Sequence, residues 1–190
     1  LEEIIKDESF PKGAEKRINQ YLFKTPLDIV LTNAEPEKKF VEYLCKKEIA
    51  EKIDAWIKSR DQGFYSIEYS WRKGEHPQKN QQFNPDFFIK IHPAKTDFII
   101  IVEIKADGDD CVENKAKLKW ANQHFEDLNN ELEVMGIKQK YIFHFLSPIS
   151  YPEFFEYLKD GRLIKGVFRS ELEDRLKSSG EDIENSNNLM

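Results

Sequence analysis

The chain has 190 residues, of which 39% are hydrophobic and 34% charged, enough for one domain of ordinary size with a packed core and a soluble surface. A formal net charge of −6 excludes a protein that coats nucleic acid by bulk positive charge, although not one with a local basic cleft. No stretch approaches the roughly 18 apolar residues of a membrane span, and two cysteines, Cys45 and Cys111, fit no metal spacing, so a cytoplasmic protein is expected.

Residues 1–23 read as charged helix broken by Pro11 and Gly13, and residues 26–31 as an extended connector. From residue 33, Phe40, Val41, Leu44, Ile49, Ile53, Trp56 and Ile57 recur mostly three or four apart. This predicts one long amphipathic helix, capped by Asn33 with Pro36 in its first turn. Residues 64–71 have strand composition, residues 72–81 read as a polar loop, and two further strands are expected over 82–91 and 97–105 around a turn at 93–96. A second amphipathic helix follows over 113–133, then a strand over 140–146, helices near 152–159 and 169–177, and a disordered tail. Three consecutive strands predict antiparallel pairing, and the helix before the fourth predicts a crossover to a parallel neighbour. The expected architecture is a mixed four-stranded sheet flanked by helices.

The run Phe98-Ile99-Ile100-Ile101-Val102 suits a central strand, and it ends in Glu103-Ile104-Lys105. A hairpin symmetric about residues 93–96 sets Asp86 opposite Glu103, with Cβ atoms about 5 Å apart, where like charges repel. Strand alternation turns Lys105 to the same face as Glu103. Two carboxylates, with backbone and phosphate oxygens, are the hard ligands that Mg²⁺ prefers. The chemistry that wants them beside a lysine is phosphodiester hydrolysis. Glu-x-Lys occurs also at Glu37/Lys39 and Glu113/Lys115, within expected helices, where the spacing more simply describes a solvated face. An Asp86–Lys105 ion pair serving structure alone is the plain alternative, although burying such charges for stability is poorly rewarded.

Pro85-Asp86 followed by Glu103-Ile104-Lys105 resembles the PD-(D/E)xK nucleases. The segments EPEKKFVEYL, FNPDFFIK and IIIVEIKADG are most similar to the C-terminal endonuclease domain of the restriction subunit of type III restriction enzymes. That family often has glycine after the lysine; here Ala106 follows, with Gly108 two residues later. The resemblance implies a restriction-endonuclease-like three-layer α/β fold with an αβββαβ core. It divides the chain into an N-terminal helical extension or linker over 1–32, a nuclease domain over 33–178 and a flexible tail over 179–190. It implies catalytic roles for Asp86, Glu103, Lys105 and Glu37, with Glu35 and Glu42 as other candidates for the helix carboxylate. Mg²⁺, for which Mn²⁺ may substitute, would be held by Asp86, Glu103 and the backbone of Ile104.

The implied substrate is double-stranded DNA. The implied partners are a helicase-like motor in the preceding part of a longer chain, where ATP would bind, and a methyltransferase subunit. A first residue other than Met fits a piece of such a chain. Lys115, Arg72, Lys73 and Lys79 are candidate phosphate contacts, although plain helix and loop surfaces look the same. A different class of function, a catalytically inactive nuclease-fold module for DNA binding or docking, would need none of the acids. The four histidines show no zinc spacing, and His144, inside an apolar run, reads as a satisfied core residue.

Overall fold

Pro36, in the first turn of a helix, sits where a missing N–H goes unnoticed, and Phe40, Val41 and Leu44 follow on one buried face. That helix belongs to a computed structural model that describes residues 15–32, 34–59, 63–73, 76–93 and 96–186; the expected cap Asn33 lies outside them. Before it come β1 (Glu15–Arg17), a single helical turn α1 (Gln20–Phe23) and β2 (Ile29–Leu31), with β1 and β2 antiparallel. The expected helix over 1–23 is thus corrected within the described residues. Asn19 caps α1, and Lys24 ends it in a left-handed conformation, φ 54°.

The predicted long helix is three elements: α2 (Glu35–Leu44), α3 (Lys47–Ala50) and the strand β3 (Ala55–Lys58). Ile49, Ile53 and Trp56 are all buried, but a short helix, a turn and a strand deliver them. Spacings of three and four do not tell these apart. A second correction concerns residues 72–81. They are mostly strand, in a two-stranded antiparallel ribbon of β4 (Ile67–Lys73) and β5 (His76–Phe83). The register slips by one between Tyr69 and Trp71, and Asn80 (φ 54°) takes up the extra residue in a conformation asparagine tolerates.

Pro85 cannot donate to a ladder, so the strand expected over 82–91 splits: β5 ends at Phe83, and β6 (Phe87–Ile91) joins a different sheet. The chain continues through β7 (Asp97–Ile104), α4 (Val112–Val134), β8 (Gln139–Leu146), α5 (Tyr151–Lys159) and α6 (Glu171–Ser186). Part of the expected tail is therefore helical. The main sheet has the order β3-β6-β7-β8, antiparallel except for the parallel β7–β8 pair that α4 connects. The protein is thus mixed α/β, a four-stranded mixed sheet flanked by helices, with β3 rather than residues 64–71 as its first strand.

Alternation along β7 divides the core. Ile100, Val102 and Ile104 join Phe40, Trp56, Phe87 and Phe154 under α2 and α5, whereas Ile101 joins Leu118, Phe125, Phe143 and Leu172 under α4 and α6. The outer edge of β8 is closed by side chains. Asn129 of α4 bonds both the N–H (2.7 Å) and the C=O (2.8 Å) of Tyr141, while Glu173 accepts from the Phe145 N–H (2.9 Å) and the Ser170 hydroxyl donates to its C=O (2.5 Å). Among the described residues, no helix is long and apolar enough to cross a membrane.

Candidate active site

The β6–β7 ladder has the symmetric register expected from sequence, its final pair being Phe87 with Val102. One step beyond stand Asp86 and Glu103. Asp86 lies just outside β6, its C=O accepting from the Ser59 N–H at 2.7 Å, and its Oδ2 accepts from the Ile104 N–H at 2.7 Å. The β7 backbone itself therefore orients the aspartate. Glu103 is buried. Its Oε1 takes the Lys105 ammonium at 2.7 Å, and its Oε2, also buried, has no hydrogen-bond partner. The Lys105 N–H bonds the Leu146 C=O at 2.9 Å, which holds the strand end beside β8. Lys105 thus pairs with Glu103, not with Asp86 as the plain structural alternative supposed.

The third acid arrives on α2. Glu37 is buried in the first turn, whereas Glu35 and Glu42 are exposed, so of the three candidates only Glu37 reaches the interior. The Tyr151 hydroxyl donates to the Pro36 C=O at 3.1 Å and pins that turn. Glu37 Oε2 is 3.1 Å from the ammonium of Lys58, the last residue of β3. Sequence reasoning missed Lys58 because it placed the residue within the long helix, where a lysine reads as part of a solvated face. Read as a strand, Trp56 and Lys58 share one face, and a lysine beside a buried tryptophan is the signal that was available.

Burial, then the charges of Glu103 and Glu37, push the Asp86 carboxyl well above the usual carboxylate range, against the opposing pull of the Ile104 N–H and Lys58. Burial also raises Glu103, with Lys105 opposing. Burial lowers the Lys105 ammonium, but the charge and hydrogen bond of Glu103, then Asp86, outweigh it and leave the group raised. Asp86 and Glu103 are thus raised chiefly by burial, and the charge of Glu37 adds to both.

Of the remaining predicted residues, Ile104 lies within the site and the others sit further out. Ile104 contributes its N–H to Asp86. On α4 it is Lys117, rather than Lys115, whose charge reaches Glu103. Lys117 is paired with Glu113 at 2.9 Å, and Glu113 also accepts from the Tyr69 hydroxyl at 2.7 Å. Glu113 is thus partly solvated, as its spacing with Lys115 suggested, but it is also held by Lys117 and Tyr69. Lys117 holds its carboxyl below the usual range, with Tyr69 assisting. Arg72 is exposed on the ribbon; the side chains of Lys73 and Lys79 lie outside the described residues. His144 is buried as expected but not satisfied, since neither ring nitrogen has a hydrogen-bond partner and Nδ1 is 3.4 Å from Glu173 Oε1.

Among the described residues, no three His, Cys, Asp or Glu side chains form a ready-made metal cage. The donor set suits a different occupant. Mg²⁺ commonly takes one or two carboxylates and completes its octahedron with water and substrate phosphate, and the lone pairs of Glu103 Oε2 are buried and uncommitted. Asp86 and Glu103 offer carboxylate oxygens of the kind such an ion takes. Comparison of the chain with protein-family models, with curated proteins and with solved structures finds no match.

Proposed function

We propose that the protein is a metal-dependent endonuclease domain of the PD-(D/E)xK type that hydrolyses DNA phosphodiester bonds. The observation that carries this reading is the facing placement of Asp86 and Glu103, one oxygen of Glu103 buried without a partner and the other bound to Lys105. Asp86, Glu103 and the Ile104 carbonyl would hold Mg²⁺ or Mn²⁺. When bound, the ion supplies polarisation of a phosphate oxygen and acidification of water.

The protein's own residues do the rest. The Ile104 N–H fixes one oxygen of Asp86 and leaves the other for the ion. Glu103 fixes the Lys105 ammonium, which stabilises the negative charge that grows on the phosphate. Burial reduces the screening of these contacts relative to water. The αβββαβ order, with the ribbon inserted after its first strand, supports the restriction-endonuclease-like reading. By the same resemblance, residues 33–178 are the nuclease domain of a type III restriction enzyme, partnered by a helicase-like motor that binds ATP and by a methyltransferase subunit, with double-stranded DNA as substrate.

Nicking of supercoiled plasmid with Mg²⁺ or Mn²⁺ tests the activity. The wild type should nick, and Asp86→Ala and Lys105→Ala should each lose about a hundredfold or more. Metal-dependent nicking that persists undiminished in purified Asp86→Ala would refute the assignment.

A further inference from the structure

Lys58 ends the edge strand β3, yet its side chain is only 6% exposed, and that of its partner Glu37 only 12%. Its ammonium lies 3.1 Å from Glu37 Oε2, donates to the Ser59 C=O at 3.3 Å and sits 5.8 Å above the Phe87 ring. The next residue, Ser59, donates its N–H to the Asp86 C=O, so the strand end and the segment bearing Asp86 are tied together. Three carboxylates, Glu37, Asp86 and Glu103, thus have the ammonium groups of Lys58 and Lys105 beside them, with Lys117 acting on Glu103 from α4. Lys105 is committed to Glu103. Lys117 reaches Glu103 from α4, whereas Lys58 stands on the Glu37 and Asp86 side.

A buried ion pair that serves stability alone is generally replaceable by apolar side chains, so an ammonium kept at this position is better explained by what the acids do. We propose that Lys58 is the internal counter-cation of the acid cluster, balancing Glu37 and Asp86 and competing with the divalent ion for them. This rests on the metal-site reading above and adds to it a residue that sets the affinity of the site. A divalent ion entering among the acids meets a positive charge on their flank. Removing that charge while keeping the carboxylates should therefore tighten the ion, whereas a residue that merely positioned Glu37 would loosen it when lost.

The experiment is calorimetric titration of the whole chain with Mn²⁺ at fixed pH, for the wild type, Lys58→Met, Lys58→Gln, Lys58→Arg and Asp86→Asn. The neutral variants should bind Mn²⁺ about tenfold tighter, the direction and scale expected for one unit charge removed from a partly buried site. Lys58→Arg, which keeps the charge, should stay close to the wild type. Without metal, the neutral variants should melt lower than the wild type and gain more from added Mn²⁺, because the ion replaces the missing charge.

Unchanged or weaker Mn²⁺ binding in the folded neutral variants, with binding abolished by Asp86→Asn, would overturn the role of Lys58 alone. Lys58→Gln retains a donor for Glu37, so it serves if Lys58→Met does not fold. If neither neutral variant folds while Lys58→Arg does, Lys58 is a structural ion-pair partner and the proposal is wrong. Wild-type protein that takes up no Mn²⁺, or takes it up equally in Asp86→Asn, overturns the metal-site reading together with the proposal.

Discussion

A carboxyl buried beside two others is held at a cost in stability unless a proton or a cation neutralises it. Asp86 is raised well above its ordinary range, so between the ordinary and the raised value the folded protein holds a proton there more tightly than the unfolded chain does. Its contribution is fully present below the ordinary aspartate range and is lost as pH rises through the raised value. Asp86→Asn, which keeps an acceptor for the Ile104 N–H, should therefore stabilise the metal-free protein by about 1–2 kcal/mol at pH 8, with the gain vanishing towards pH 4. Urea unfolding at both values checks this, and a destabilised variant at pH 8 would contradict it. The pairing of Asp86 with Glu103 was legible in the sequence because a symmetric turn and strand alternation fix it. The choice of Glu37 over Glu35 and Glu42 was only half legible, since helix spacing does not say how deep a first turn sinks. Lys58 was hidden by the helical reading of its segment.

At the scale of elements, α6 begins with a reciprocal cap: the Ser170 N–H bonds Glu173 Oε2 at 3.1 Å, and the Glu173 N–H bonds the Ser170 hydroxyl at 3.0 Å. The same Glu173 carboxylate accepts from Phe145 of β8, so one side chain both starts a helix and closes a sheet edge. Glu173→Ala leaves a buried N–H unpaired and should lower stability by about 2–3 kcal/mol, read as a shifted urea midpoint with unchanged slope. An unshifted midpoint would show that the edge bond is replaceable. Local sequence anticipated β7 and α4, whose patterns are long. It failed where elements are short or polar. β5 reads HPQKNQQF, with no apolar alternation until Phe83, so only its pairing with β4 makes it a strand. α2, α3 and β3 share one run of helical spacing, and tertiary packing divides it.

The molecule as a whole is tied together from its described N-terminal end. Ile18 and Val30 belong to the core under α2, the Trp56 indole donates to the Phe23 C=O at 2.6 Å, and the Lys24 ammonium donates to the Ile53 C=O at 2.7 Å. Residues 15–32 thus brace β3, the strand that carries Lys58. Deleting residues 1–32 should abolish or sharply weaken cooperative unfolding, and an unaltered urea midpoint would count against that brace. The sheet order was legible in outline, from antiparallel strands and one crossover, while the identity of its first strand was not. The proposed metal site would hold one divalent ion between Asp86 and Glu103. Its most direct test is paramagnetic broadening of backbone amide signals by substoichiometric Mn²⁺. The amides of Phe87, Glu103, Ile104 and Lys105 should fade first, and Asp86→Ala should remove the effect. Broadening that is unchanged in Asp86→Ala, or that centres on another acidic segment such as the start of α6, would contradict it.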